Sequence, residues 1–222
     1  MKSFAQWSLD RKSKLRKYEE KTHPNFIRKY SGQELTFEDI YQMLTAQNPE
    51  GWSLKEGDTV LDLGCGTGWY ARKLSTDDRC RGARIIGLDI SENALEIARE
   101  KQGQVARKQV GQVEYRQADL LQKIPVSGAK EIWFCGAWHQ TGDPVKSLHR
   151  VVETLAQGGM IHIQTFRKAP EMNQAIDAAI MELVGHHIFS EGEIESIAER
   201  LGLKLVASQR KGMIELCTMT QA

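Results

Sequence analysis

The sequence predicts an α/β fold, a doubly wound seven-stranded sheet that is mostly parallel, and three observations predict it. Short apolar runs alternate with helical patterns between residues 59 and 167. A glycine-rich turn separates the first of these runs from the helix after it. The chain then ends in two apolar runs joined by a connection too short for a parallel crossover.

Residues 1–55 carry no such alternation and are assigned to an N-terminal helical unit. Ser3 to about Lys21 and Thr36 to Gln47 read as helices, divided by His23-Pro24 and Ser31-Gly32. The unit is either a cap on the domain or a mobile cover over its cleft.

Residues 56–222 form the main domain. Thr59–Leu63 is an apolar run ended by glycines, as expected of a strand buried on both faces. Arg84–Asp89 is the second strand, and Ser91 is placed to cap a helix whose apolar positions are Ala94, Leu95, Ile97 and Ala98. Val113–Gln117, Glu131–Cys135 and Met160–Phe166 are the third, fourth and fifth strands. A helix from Pro144 to about Ala156 is capped by Asp143 and stopped by Gly158-Gly159. Strand–helix alternation of this kind builds a parallel sheet covered on both faces. Residues 169–202 read as a helical insert on the substrate side, with Ile194, Ile197, Ala198 and Leu201 at helical spacing. Leu203–Ser208 and Met213–Met219, joined only by residues 209–212, form an antiparallel hairpin that completes the sheet.

Composition narrows the function. With 30 basic and 29 acidic residues among 222 the formal net charge is +1, which gives no global field toward nucleic acid or a membrane surface. No apolar stretch approaches the roughly 18 residues of a membrane span, and Met1–Asp10 lacks the apolar run of a secretory signal. Cys65, Cys80, Cys135 and Cys217 are scattered without a C-x-x-C pair, so free thiols in a reducing cytoplasm are expected and no metal site is predicted. Adjacent His186-His187 point about 100° apart on a helix and lack a third ligand. Arg11–Lys17 carries five basic residues in seven, and the following Glu19-Glu20 favour a solvated helix face over an RNA contact.

The segment Val60–Tyr70 carries the chemistry. Gly64, Gly66 and Gly68 stand at alternate positions between strand and helix, where glycine admits unusual dihedrals and lets a ligand touch the backbone. The helix start adds free N–H groups. Gly66–Ala71 also satisfies a looser G-x-G-x-x-A dinucleotide fingerprint, so the loop alone leaves two cofactor classes open. Asp89 ends the second strand 21 residues after Gly68, where a carboxylate can accept from both ribose hydroxyls. Asp119, after the third strand, can accept from an adenine amino group while a backbone N–H meets the ring. Together they mark an adenosine site.

Leu61-Asp62-Leu63-Gly64-Cys65-Gly66-Thr67-Gly68 resembles the first motif of class I S-adenosylmethionine-dependent methyltransferases. Gly87–Ser91, Ala118-Asp119-Leu120 and Arg150–Gly159 are further matches, the last similar to a signature of the small-molecule branch. The resemblance covers about residues 55–166, and the closing hairpin agrees with the family's antiparallel seventh strand. It implies S-adenosyl-L-methionine as cofactor and methyl transfer to a small-molecule acceptor by in-line displacement. It also implies that Asp62 and the backbone of Gly64 and Gly66 lie near the methionine part, that Gly66 and Gly68 permit close approach, and that Cys65 and Ile90 are cofactor-binding as well. Asp89 then belongs to the ribose, Asp119 and Leu120 to the adenine, and Cys135 and Gly136 to the methyl position. Alternatives within this resemblance are an RNA or protein methyltransferase and a non-methylating cofactor-binding protein or cyclase of the same fold.

Two departures from the family pattern stand out: Ala156-Gln157 replaces a lysine-proline, and Trp138–Pro144 is one residue longer than usual. Residues 1–55 and 170–200 match no motif. His139, four residues beyond the fourth strand, is the general-base candidate because an ordinary pKa of about 6.5 suits proton removal near neutrality. Pocket shaping or helix capping is its other role. Trp133, Trp138 and Phe189 either line an acceptor pocket or pack the core.

Overall fold

The apolar runs form seven strands of one sheet: β1 (Thr59–Leu63), β2 (Arg84–Asp89), β3 (Gln112–Gln117), β4 (Ala129–Cys135), β5 (Leu155–Phe166), β6 (Leu203–Lys211) and β7 (Ile214–Gln221). The computed structural model describes residues 11–48, 51–52, 54–168 and 172–222, so the start of the expected Ser3–Lys21 helix lies outside the described residues. The strand order is β3-β2-β1-β4-β5-β7-β6. All neighbours are parallel except β7, which runs antiparallel to both β5 and β6. The order reverses at β1, the topological switch where such sheets open a crevice at their carboxyl ends.

The helices are α1 (Lys12–Leu15), α2 (His23–Ser31), α3 (Phe37–Thr45), α4 (Trp69–Ser75), α5 (Glu92–Val105), α6 (Pro144–Val152), α7 (Met172–Leu183) and α8 (Glu193–Arg200), with a π-helical turn at Tyr18–Thr22 before α2. Strand alternation sends Leu61 and Leu63 to one face, where they pack with Leu148 and Val151 of α6 and Ile194 and Ile197 of α8. Val60 points to the other, with Ile40 and Leu44 of α3, Leu74 of α4 and Leu95 of α5. Asp62 shares that second face, and this parity puts it beside the start of α4. Among the described residues no helix is long and apolar enough to cross a membrane.

Three sequence expectations are corrected. The helix from Pro144 ends at Val152, and β5 begins at Leu155 rather than Met160. Val151, Val152 and Thr154 are β-branched and favour extension, Leu155 pairs with Ala129, and Gly158-Gly159 falls inside the strand. A side chain at Gly159 would press on the Ala129 carbonyl at 2.9 Å. His23-Pro24 does not divide two helices: Pro24 occupies the first turn of α2, where its missing N–H costs nothing. The hairpin is tighter than residues 209–212, with only Gly212 and Met213 between β6 and β7. Gly212 sits at φ +57° with its missing Cβ 2.4 Å from the Tyr30 carbonyl, and Met213 N donates to that same oxygen at 2.8 Å. The turn thereby clamps the end of α2.

A buried polar ladder crosses the second face. Gln47 Nε2 donates to the Leu216 carbonyl, and Thr218 Oγ1 donates to Gln47 Oε1 at 2.9 Å. With its proton so used, Thr218 must accept from His162 Nδ1 at 3.1 Å. His162 Nε2 then faces Glu131 Oε2 at 2.7 Å, and a proton lies between them. Both side chains are at least 95% buried, and the His162 ring lies against Trp133 and Trp52. His162→Ala leaves Glu131 without a partner inside the sheet and is expected to cost about 3 kcal/mol of unfolding free energy in urea denaturation.

Candidate functional site

The carboxyl ends of β1, β2, β3 and β4 open into one cleft, with an empty volume of about 1340 Å³ that includes its open mouth. Its floor is the loop from Gly64 to Gly68. Cys65 N donates to the Leu88 carbonyl at 3.0 Å and Gly68 N to the Cys65 carbonyl at 2.8 Å, so the loop folds back onto the end of β2. The three glycines all have positive φ but separate purposes. A Cβ on Gly64 would lie 2.2 Å from the Ala137 Cβ, so the loop after β4 meets the loop after β1 only because Gly64 has no side chain. A Cβ on Gly68 would meet Tyr115 Oη at 2.7 Å and Ala98 Cβ at 2.9 Å. At Gly66 nothing lies within 4 Å of that position, and the residue lines the open cleft.

Three carboxylates line the cleft, each aimed by backbone N–H groups. Asp89 Oδ2 accepts from Gly66 N and Oδ1 from Ser91 N, both at 2.8 Å. Ser91 Oγ in turn accepts from Ala94 N at 3.1 Å, capping α5. Asp119 Oδ1 accepts from Leu121 N at 2.9 Å. Asp62 Oδ2 accepts from Ala71 N at 2.9 Å. Burial pushes the Asp62 carboxyl up to about 7, against the Ala71 N–H that favours its ionised form.

The structure brings Asp62, Gly64, Cys65, Gly66, Asp89, Ile90, Asp119, Leu120, Cys135 and Gly136 together in the cleft lining. Gly68 is the exception: its bare face is turned to Tyr115 and Ala98, and it serves helix–strand packing. His139 is also outside the lining. It is 1% exposed, edge-on to Phe166 at 4.7 Å and stacked on His186 at 5.2 Å, and burial holds its pKa well below the usual histidine range. That geometry does not bring it to the cleft as a base. Trp133, Trp138 and Phe189 are fully buried; Trp138 and Phe189 pack on each other at 4.3 Å, so the packing alternative describes them. His187 Nε2 bonds Glu193 Oε1 at 2.6 Å.

Residues that motif reasoning did not reach complete the walls. Leu15, Tyr18 and His23 come from the N-terminal unit, Phe37 from α3, Trp69 and Tyr70 from the first turn of α4, and Gln140 and Thr141 from the loop after β4. The N-terminal unit is tied to the glycine loop by one acid. Both oxygens of Glu19 accept from Arg72 at 2.8 Å, and the same carboxylate pairs with Lys101 at 2.8 Å and with the Thr67 hydroxyl. Burial alone would raise the Glu19 carboxyl; Arg72, Lys101 and Thr67 together hold it below the usual range. In the basic Arg11–Lys17 run, Lys12 and Arg16 pair with Glu96 and Glu100 of α5, half exposed, as expected of a solvated face.

Comparisons with known proteins agree with this geometry. Residues 54–209 match the model of a family described as a methyltransferase domain. A ubiquinone biosynthesis O-methyltransferase from Alkalilimnicola ehrlichii is 28% identical over 120 residues, which are 52% of this chain and 44% of that protein. A demethylmenaquinone methyltransferase from Lactococcus lactis is 33% identical over 106 residues, 47% of this chain and 40% of that protein. The matched region thus spans less than half of either relative. A crystal structure of an S-adenosylmethionine-dependent methyltransferase from Aquifex aeolicus superposes with a TM-score of 0.67 at 20% identity, covering 96% of this chain and 99% of that one. At such identity the likeness is one of fold.

Two outcomes follow from the loop. Gly64→Ala and Gly68→Ala combine a left-handed φ with a clash and are expected to lose about 3 kcal/mol each, whereas Gly66→Ala, strained but unobstructed, should lose about 1 kcal/mol in chemical denaturation. For Asp62, the carboxyl at about 7 in the folded chain returns near 4 on unfolding. The folded state binds more protons between those values, so this group's contribution to stability falls as pH rises from about 4 to about 7. Asp62→Asn, which can still accept from Ala71, should therefore melt higher than the parent at pH 8, by about 2 kcal/mol or more, and equally at pH 3.5.

Proposed function

The chain belongs to the methyltransferase family of class I, S-adenosylmethionine-dependent type, and on that premise we propose that it transfers a methyl group from S-adenosyl-L-methionine to a small-molecule acceptor. One observation carries the reading: the open face of Gly66 and the carboxylates of Asp89 and Asp119 meet in one cleft at the switch point of the sheet.

The residues fit the cofactor. Asp89, already oriented by Gly66 N and Ser91 N, would hold the ribose hydroxyls. Asp119 and Leu120 would hold the adenine, and Gly64, Gly66 and Asp62 the methionine part. When bound, the cofactor supplies an electrophilic methyl on a positively charged sulfur. The chain's own part is positional: it holds reactants in place and keeps water out, effects that reach about 7 kcal/mol or more in well-oriented systems. Leu15 and Tyr18, held by the Glu19 knot, cover one wall for this purpose. Asp62 places its charge where a cation would sit, and a cation there stabilises its ionised form.

A small-molecule acceptor accords with the cleft's enclosure by the N-terminal unit and with the pairing of Lys12 and Arg16, two of the five basic residues of the run, to α5. Calorimetry with S-adenosylmethionine and S-adenosylhomocysteine tests the reading. Both should bind, and Asp89→Ala should weaken them at least about tenfold through loss of charge-assisted hydrogen bonds. Binding of NAD with no affinity for either compound would refute it.

A further inference from the structure

The two halves of the cleft differ in chemistry. The β2–β3 side is built of aimed carboxylates and backbone. The opposite side is a wall of rings drawn from three elements. His23 of α2 stacks on Phe37 of α3 at 3.6 Å and 11°, and Phe37 stacks on Trp69 of α4 at 5.0 Å and 16°. Tyr70 stands edge-on to Phe37 at 5.7 Å and to Trp69 at 5.1 Å.

Two polar atoms in this wall have no protein partner. His23 Nδ1 and the Tyr70 hydroxyl are both on side chains 5% exposed, and neither makes a hydrogen bond; only the Cys135 thiol, a weak partner, stands near Tyr70. A third, Gln164 Nε2, is buried behind Gly136, whose missing Cβ lies 3.4 Å from Gln164 Oε1. Buried polar groups are nearly always hydrogen-bonded, and two of these orphans, on His23 and Tyr70, belong to side chains that line the cleft.

Charge restricts that ligand. Among the described residues no lysine or arginine lines the cleft, while Asp62, Asp89 and Asp119 do. The nearby cations Arg72 and Lys101 are both engaged by Glu19. Burial holds His23 down at about 3, so its imidazole is neutral at physiological pH. An anionic group entering this half would lose its water without gaining a counterion.

We propose that the methyl acceptor is an uncharged, planar aromatic compound bearing a hydroxyl group, its ring against the Phe37–Trp69 wall and its hydroxyl on Tyr70 and His23. This rests on the transferase reading above, because the nucleoside half must be filled for the acceptor half to be bounded.

The test is calorimetry of the full chain saturated with S-adenosylhomocysteine, using 2-naphthol and its charged congener 6-hydroxy-2-naphthoate as probes. 2-Naphthol should bind, with 6-hydroxy-2-naphthoate at least about tenfold weaker. Tyr70→Phe should weaken 2-naphthol about fivefold and S-adenosylhomocysteine less than twofold. The proposal is overturned if the naphthoate binds as tightly as the naphthol, if 2-naphthol does not bind the loaded protein, or if a folded Tyr70→Phe binds it unchanged. The charge comparison uses the unsubstituted chain and so decides the matter even if Tyr70→Phe fails to fold. Absence of S-adenosylhomocysteine binding is a different result, which removes the transferase reading and the acceptor assignment with it.

Discussion

Asp89 joins what would otherwise be two separate loops. Its carboxylate accepts from Gly66 N with one oxygen and from Ser91 N with the other, so the turn after β1 and the turn after β2 share a single rigid acceptor. Charge-assisted bonds to backbone N–H groups are short and directional. Ser91 then caps α5, and the helix that covers β2 and β3 starts from the same point. The floor of the cleft inherits its shape from this arrangement.

Around that floor the protein buries polar groups in three different ways. The His162–Glu131–Thr218–Gln47 ladder is internally satisfied and binds the turn after α3 to the sheet. The Glu19–Arg72–Lys101 knot is satisfied across elements and fastens the N-terminal unit over the glycine loop. Asp62, by contrast, keeps one backbone bond and a carboxyl near neutrality, in a wall that also holds the unpartnered Tyr70 hydroxyl. The first two are scaffolding, whereas the third leaves polar groups in the cleft lining incompletely paired within the protein.

Much of the fold could be read from the sequence because its evidence is local. Strand alternation, the glycine spacing, the Asp143 and Ser91 caps and the short final hairpin each depend on residues a few positions apart. Boundaries moved where distant partners decided them: Leu155 is extended because Ala129 pairs with it, and Gly158-Gly159 ends up inside the strand it was expected to precede. His139 shows the same limit. Its position after β4 suggested the cleft, but a π-stacked His186 and the edge of Phe166, far along the chain, take it into the core.

By itself the sequence determined the switch-point topology and placed ten of its eleven expected cofactor residues, from Asp62 to Gly136, along one cleft. These sit at strand ends, and a strand end followed by glycine or aspartate declares itself within one short motif. Only the tertiary structure decided the purpose of Gly68 and the composition of the opposite wall. His23, Phe37 and Tyr70 come from α2, α3 and α4, and no spacing relates a helix of the N-terminal unit to a turn after β1. Their meeting is set by how the Glu19 knot and the hydrophobic face of α3 dock on the sheet, a matter of packing between remote segments rather than of local pattern.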